Sequence, residues 1–282
     1  MTRSGITLVA ALSLSLACHE ALAAKADLVK TTGDSVVQVL TDGTTGPLLV
    51  ILPSAGRGAD DYDEVGPLFA EQGFRVIRPQ PRGFGRSNGP LEGISLKDFA
   101  GDVEAAIEHA GGGPAVIIGH AYGNWVARYA ASERPDLVRG VVIAAAAAKK
   151  FPKELYTAVA KCADTSLPDP ERLSYLESTF FAAGHDASIW LRGWNTNVQK
   201  RQIEAANRSP VDFWWSSGKA RLLEVQASED PFKTPEQRGE LRAELGDRVT
   251  TVLIQGAGHA LIPEKPKEFV QAVVSWVRSL PQ

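Results

Sequence analysis

Short apolar runs, each bounded by turn-forming residues, recur at intervals along the chain. Within each run most side chains are hydrophobic and do not alternate strictly with polar ones, as expected for strands of a parallel sheet that helices cover on both faces. The runs span residues 47–52, 74–79, 114–119, 138–146, 220–227 and 249–255. The pattern therefore predicts six buried strands.

Between most of these runs, apolar residues return at spacings of three and four, which is typical of amphipathic helices. Ser95, followed by Asp98, and Thr234, followed by a proline, have the features of helix N-caps. The predicted helices span residues 61–72, 95–110, 122–133, 234–245 and 267–280. The alternation of strand and helix predicts an α/β fold with a doubly wound, mostly parallel sheet.

The alternation is interrupted between about residues 149 and 218, where helical segments replace the single crossover expected between two strands. We interpret this insertion as a helical lid above the sheet. Four of the six tryptophans fall within it, namely Trp190, Trp194, Trp214 and Trp215. Such side chains either form a core for the insertion or line an apolar pocket, and Trp190 and Trp194 are our candidates for binding substrate.

The composition is that of an ordinary globular domain. Of the 282 residues, 44% are hydrophobic and 22% are charged, which argues against both a disordered and a membrane-spanning chain. The net charge is −3 and basic residues form no stripe, so nucleic acid is not expected as a partner. We expect a single domain over residues 24–282, with a small-molecule substrate or ligand as its partner.

The first 23 residues are typical of a signal peptide. A basic residue precedes an apolar run over residues 6–17, and Ala21 and Ala23 provide the small side chains that signal peptidase requires. The run is shorter than the roughly 20 residues of a transmembrane helix, so we expect no stable membrane insertion after cleavage. The mature chain would start at Ala24, in the periplasm or outside the cell, with Cys162 as its only thiol.

Residues 119–123 read Gly-His-Ala-Tyr-Gly and lie between a predicted strand and the helix that starts at Tyr122. This is the context of a nucleophile elbow, in which two glycines allow a sharp turn that raises the residue between them above the sheet. The raised residue here is Ala121. Because a methyl group cannot attack an electrophile, this position supplies no nucleophile.

From about Val36 to its C-terminus the chain resembles the α/β-hydrolase superfamily, and within it the branch of epoxide hydrolases and haloperoxidases. Besides the elbow, three motifs carry the resemblance: R-G-F-G-R-S, S-E-D-P, and G-A-G-H followed by P-E-K-P. They occupy residues 82–87, 228–231, 256–259 and 263–266. An acid followed by a histidine, both after the elbow, is the order that this fold uses. The resemblance implies the α/β-hydrolase fold.

The resemblance assigns the catalytic acid to Asp230 and the catalytic histidine to His259. The carboxylate would hold one ring nitrogen protonated and leave the other free to accept a proton. The backbone amides of Tyr122 and Ala55 are the expected oxyanion donors. The loop that contains Ala55 lacks the usual His-Gly and reads Pro-Ser-Ala-Gly-Arg-Gly, but backbone donors need no particular side chain.

Two neighbours of Ala55 are candidates for substrate binding. Ser54 offers a hydroxyl group, and Arg57 offers a cation for an anionic part of the substrate, although ordinary solvated loop residues would give the same pattern. The remaining histidines, including His120, show no metal-ligand spacing, and the triple glycine at residues 111–113 precedes a strand, whereas a dinucleotide-binding loop follows one. We expect no metal and no cofactor.

Four hypotheses account for Ala121. In the first, the His259–Asp230 dyad activates water, which attacks a small apolar ester, lactone or similar electrophile without a covalent intermediate. In the second, a Ser→Ala mutation was introduced at this position, or a homologue with serine there exists. The third is a non-catalytic ligand-binding protein that has lost its nucleophile. In the fourth, His259 moves a proton on the substrate itself, as in a lyase, with Tyr122 as the proton donor. We expect the first, with the binding protein as the alternative.

Overall fold

The computed structural model describes residues 24–281, which are arranged around one eight-stranded sheet. The strands are β1 (Lys25–Lys30), β2 (Val36–Asp42), β3 (Leu48–Leu52), β4 (Arg75–Pro79), β5 (Ala115–His120), β6 (Val138–Ala144), β7 (Arg221–Ala227) and β8 (Val249–Ile254). Their order across the sheet is β1-β2-β4-β3-β5-β6-β7-β8. The strands from β4 to β8 in this order are parallel, whereas β2 is antiparallel to both of its neighbours. The predicted doubly wound, mostly parallel sheet is confirmed.

All six predicted strands are present, with ends within about two residues of the predicted limits. The two strands that the apolar runs did not predict are β1 and β2. Strand β1 forms an edge of the sheet and is mostly exposed, with lysines at both ends, and buried and half-buried positions are mixed along β2. Neither strand therefore contains the continuous apolar run of a strand that is covered on both faces.

The helices are α1 (Val65–Glu71), α2 (Leu96–His109), α3 (Tyr122–Glu133), α4 (Lys153–Ala163), α5 (Asp169–Thr179), α6 (Thr196–Asn207), α7 (Val211–Trp214), α8 (Glu240–Leu245), α9 (Leu261–Glu264) and α10 (Pro266–Ser279). Helix α3 has the predicted limits. The helices predicted over residues 61–72 and 234–245 are each divided into a short 3₁₀ turn and a shorter α-helix.

Helices cover both faces of the sheet, and the central strands are buried between them. In β3, Val50 and Leu52 belong to the core that includes α2 and α3, whereas Leu49 and Ile51 belong to the core that includes α1 and α10. Every side chain of β3 is buried. This two-sided burial explains why the strand is continuously hydrophobic in sequence.

Helices α4 to α7 form the insertion between β6 and β7 that was predicted over about residues 149–218. The insertion has a small core of its own, in which Trp190 packs with Phe180, Phe181, Leu176 and Cys162. Trp190 is only 2% exposed. The insertion is thus a packed unit above the sheet, and its role as a lid stays a prediction.

The predicted signal peptide, residues 1–23, lies outside the described residues. Between residues 24 and 281, no helix combines the length and the apolar character of a membrane span. The thiol of Cys162 is free and buried, and burial raises its pKa to about 12. A protonated, enclosed thiol of this kind is a small packing group, not a nucleophile.

Candidate active site

Ala121 lies at a sharp turn between β5 and α3, with a φ of 45° and a ψ of −114°. This is an uncommon conformation for a residue with a side chain. Both flanking glycines are required sterically: a Cβ at Gly119 would lie 2.4 Å from backbone atoms of Asn124, and one at Gly123 would lie 2.4 Å from the carbonyl oxygen of Leu52. The backbone therefore has the shape of a nucleophile elbow, with a methyl group at its apex.

His259 and Asp230 follow the neighbouring parallel strands β8 and β7, so the carboxyl ends of these strands bring them together. Nδ1 of His259 lies 2.9 Å from Oδ2 of Asp230, and both side chains are buried. The other carboxylate oxygen of Asp230 accepts a hydrogen bond from the backbone N–H of Phe232 at 2.9 Å. Because a carboxylate only accepts, Nδ1 carries the proton and Nε2 of His259 is left as the basic nitrogen.

The ring of His259 is flanked by aromatic side chains. Its centroid lies 4.2 Å from that of Phe232 and 5.5 Å from that of Phe180. Phe232 comes two residues after Asp230, so one short loop supplies both the carboxylate and a packing surface for the imidazole. Phe232 was not predicted as a site residue from the sequence. Its position directly after the Asp-Pro pair could have indicated that it lies beside the histidine.

The backbone of the histidine loop is held by two buried side chains. Glu264 accepts hydrogen bonds from the N–H of Gly258 at 2.8 Å and from the N–H of Ala182 in the insertion at 2.6 Å. His120 contacts the carbonyl oxygen of His259 through Nε2 at 2.8 Å. Burial raises the pKa of the Glu264 carboxyl, an effect that these backbone donors partly oppose. Both contacts fix the loop from which His259 extends.

His120 is a neutral structural residue. Since a carbonyl oxygen only accepts, Nε2 of His120 is the protonated nitrogen, and Nδ1 accepts from the Tyr62 hydroxyl at 2.9 Å. Complete burial, assisted by the nearby His259, lowers the pKa of His120 to about 3. In the described part of the chain, no group of three or more His, Cys, Asp or Glu residues is placed to hold a metal ion.

A cavity of about 630 Å³ opens above the elbow and is bordered by Ala121 and His259. Ser54, Ala55 and Tyr122 also border it, so the predicted oxyanion residues and the dyad histidine meet at one space. The wall is mostly apolar, with a more polar side from α6. The other lining residues are Asn124, Trp125, Ala147, Phe151, Tyr156, Val159, Ala160, Asp164, Phe180, Thr196, Gln199, Lys200, Ile203, Glu204 and Phe232.

Arg57, Trp190 and Trp194 are not among the residues that line this cavity. The Arg57 guanidinium is buried, pairs with Asp61 at 2.6 Å, and stacks on the rings of Trp190 and Trp194 with centroid distances of 4.7 and 4.9 Å. The charge of Arg57 is therefore already paired with Asp61, and the plane of its guanidinium is already stacked on the two tryptophan rings. The structure places these three residues at the junction between the insertion and the loop before Ala59, and their assignment to substrate binding stays a prediction.

The ring of Tyr122 points back into the fold. The ring packs edge-on against Phe99 and Trp125, with centroid distances of 6.3 and 5.6 Å. Burial raises the pKa of the Tyr122 hydroxyl well above its ordinary value. A hydroxyl of such low acidity is a poor proton donor, which weakens the hypothesis of a lyase that uses Tyr122.

A family model described as the alpha/beta hydrolase family matches residues 49–272 of the chain. A soluble epoxide hydrolase from Corynebacterium sp. is 36% identical over 104 residues, which cover 37% of this chain and 36% of that protein. A non-heme chloroperoxidase from Streptomyces lividans is 40% identical over 89 residues, covering 31% of this chain and 32% of the relative. The matches thus span about a third of the length of these relatives.

Solved structures with low sequence identity share the fold. A structure described as a putative lipase from Acinetobacter baumannii has a TM-score of 0.77 at 16% identity and covers 92% of both chains. An esterase from Exiguobacterium antarcticum has a TM-score of 0.75 at 17% identity, covering 89% of this chain and 99% of that one. Because the family model matches residues 49–272, the chain belongs to the α/β hydrolase family.

Proposed function

We propose that this protein is a hydrolase in which the His259–Asp230 dyad activates a water molecule against a small, apolar ester, lactone or similar electrophile. The observation that carries the proposal is the position of His259: its Nδ1 is engaged by Asp230, and its ring borders the same cavity as the methyl group of Ala121. The water attacks the substrate directly and no acyl-enzyme forms, since no side-chain oxygen is available at the elbow to form a covalent intermediate.

The dyad supplies a base of defined tautomer. Asp230 accepts a hydrogen bond from the Nδ1–H of His259, so Nε2 can take a proton from water as the water oxygen attacks. When the bond to the leaving group breaks, the same nitrogen returns this proton to the leaving oxygen. Nε2 makes no hydrogen bond within residues 24–281 that would compete for its lone pair. General-base assistance of this kind typically accelerates a reaction by ~10²–10⁴-fold, which suits activated esters and lactones but not ordinary amides.

Two backbone amides are suited to stabilise the negative charge that develops on the substrate oxygen. Tyr122 is the first residue of α3, so its N–H is one of those that a helix leaves unbonded. Ala55 borders the cavity from the opposite loop. Neither amide donates to another backbone group in the described part of the chain, so both remain available for an oxyanion.

The composition of the cavity wall supports an apolar substrate. Aromatic and aliphatic side chains surround His259, and they would exclude bulk water from the reacting atoms. One relative, 34% identical over 89 residues, is named a bifunctional esterase/perhydrolase of Acinetobacter calcoaceticus. That name agrees with ester-like substrates for this chain.

The competing proposal is a ligand-binding protein without catalytic activity. The observation that favours it is Ala121 itself, because the elbow is complete in backbone geometry but lacks a reactive atom. A binding cavity, however, has no need for a buried His–Asp pair whose second carboxylate oxygen is also held by a backbone amide. The two proposals make opposite predictions for substitution of His259.

The deciding experiment compares the wild-type chain with His259→Ala and Ala121→Ser on short 4-nitrophenyl esters. We expect slow turnover by the wild type without a burst of nitrophenol, and loss of that turnover by about 100-fold or more in His259→Ala. Ala121→Ser should show a burst, because a serine would form an acyl-enzyme. A wild-type rate that His259→Ala leaves unchanged would exclude the dyad as the base. Turnover only in Ala121→Ser would identify the natural chain as a binding protein.

A further inference from the structure

Gly56 follows Ala55 in the loop of residues 53–58, and the insertion binds both of its polar backbone atoms. The N–H of Gly56 donates to Oε1 of Gln202 at 2.7 Å, and its carbonyl oxygen accepts from the N–H of Asn195 at 2.9 Å. Gln202 lies on α6 and is only 1% exposed. The loop is thus attached to the insertion at the residue next to the expected oxyanion donor.

The contact between α6 and the loop is close. Gly56 has a φ of +69°, and a Cβ at this position would lie 2.6 Å from Cβ of Gln199. Asn195 is itself held on two sides, because its Oδ1 accepts from the N–H of Val198 at 3.1 Å and its Nδ2 donates to the carbonyl oxygen of Gly83 at 3.1 Å. Only glycine fits between the loop and α6, and the groups that bind it have little freedom to move.

We propose that Gln202 is a positioning residue that sets the direction of the Ala55 amide. The peptide unit that joins Ala55 to Gly56 is planar, so a hydrogen bond to the Gly56 N–H also fixes the orientation of the Ala55 carbonyl. With that unit fixed, the peptide unit before Ala55 has fewer accessible orientations, so its N–H, which has no backbone acceptor among residues 24–281, would be held in one direction beside the cavity that Ala55 borders. This role rests on the proposed function, in which the Ala55 amide stabilises the oxyanion.

A purely structural link would have different consequences from a positioning role. Loss of a structural hydrogen bond lowers the melting temperature and leaves the chemistry of the folded protein unchanged. Loss of a positioning contact misdirects a donor that acts mainly in the transition state, so it lowers kcat more than it changes KM. The second pattern is expected for Gln202.

Ser209 offers a matched control. Its hydroxyl oxygen accepts from the backbone N–H of Leu96 at 2.8 Å, is buried, and lies just beyond the end of α6. Ser209→Ala therefore removes a buried acceptor for a backbone amide between the insertion and the core, as Gln202→Met does. Ser209 does not border the cavity.

The test measures amide hydrogen exchange of peptides covering residues 53–58 by mass spectrometry, together with kcat, KM and melting temperature, in Gln202→Met and Ser209→Ala. For Gln202→Met we expect faster exchange in this loop and a decrease in kcat of about 10- to 100-fold, with KM changed about two-fold or less. Ser209→Ala should lower the melting temperature and leave the loop's exchange and kcat as in the wild type.

Hydrogen exchange separates failure of this proposal from failure of the proposed function, because it needs no catalysis. If the wild type has no esterase activity, kcat is measured in the Ala121→Ser background, where the same two amides would bind the oxyanion. Unchanged exchange in Gln202→Met would overturn the role of Gln202. An equal increase of exchange in Ser209→Ala, or a loosened loop with unchanged kcat, would overturn it as well.

Discussion

His120 is buried completely, between the Tyr62 hydroxyl and the backbone of His259. Protonation of its Nδ1 would remove the acceptor for the Tyr62 hydroxyl, and burial already lowers the pKa of His120 to about 3 from an ordinary value of 6.5. Between about pH 3 and pH 6.5, His120 is protonated in the unfolded chain and neutral in the folded chain. The stabilisation linked to His120 is therefore complete above about pH 6.5 and is lost as the pH falls toward about 3.

Replacement of His120 by glutamine should reduce the pH dependence of stability. In the wild type, this histidine lowers the free energy of unfolding by up to about 1.4 kcal/mol per pH unit below its unfolded pKa, whereas glutamine does not titrate. Urea unfolding at about pH 7, 5.5 and 4.5 measures the slope. Equal slopes in wild type and His120→Gln would contradict the prediction.

The pairing of Asp230 with His259 was predictable, because both follow neighbouring strands whose carboxyl ends meet at one edge of the sheet. The direction of the Arg57 side chain was not predictable from the sequence. It depends on Asp61 four residues later and on two tryptophans more than 130 residues away, and no local pattern reveals such a contact. Residues whose place is set by the ends of regular strands could thus be predicted from the sequence. The position of a loop side chain that depends on distant packing could not.

Among the strands and turns, too, some could be predicted from the sequence and others could not. Strands that are covered on both faces were found from their continuous hydrophobicity, but β1 and β2 were missed because their burial is one-sided or slight. The elbow between β5 and α3 was predicted from two glycines, and the structure gives a steric reason for each. A Cβ at Gly123 would come within 2.4 Å of a carbonyl oxygen of β3, which has no freedom to move away.

Gly123→Ala should therefore destabilise the fold by several kcal/mol, since the clash is with backbone in the centre of the sheet. Gly101 is the matched control, because it lies inside α2 and a Cβ there would meet nothing within 4 Å. Gly101→Ala should stabilise the protein by about 0.5–1 kcal/mol, as expected for a helix interior. Chemical unfolding of the two variants measures both effects. A Gly123→Ala variant as stable as the wild type would mean that the elbow can shift away from β3.

At the scale of the whole molecule, the insertion is joined to the sheet domain at several separate places. Gln202 binds the loop next to Ala55, Glu264 bridges the histidine loop to Ala182, and Arg57 stacks on tryptophans of the insertion. Helix α4, in contrast, is exposed along much of its length and borders the cavity with Tyr156, which is 56% exposed. Any opening of the cavity is therefore expected at α4.

We propose export of the whole chain through its first 23 residues. Intact-mass analysis of the periplasmic fraction from a bacterial expression host should give a chain that starts at Ala24. Ala23→Leu should block this cleavage, because signal peptidase requires a small residue at that position. A full-length mass in the cytoplasm would contradict export. Because Cys18 follows the small residue Ala17, a lipid-modified chain that starts at Cys18 would indicate a lipoprotein instead.

The backbone at Ala121 already has the shape that displays a catalytic oxygen, although its side chain ends in a methyl group. The conformational strain of such a turn, of order 1–3 kcal/mol, is present whether or not the oxygen is there. Under the proposed function, one oxygen atom at residue 121 therefore separates direct hydrolysis by water from hydrolysis through an acyl-enzyme. A change between these two kinetic regimes would require no rearrangement of the turn.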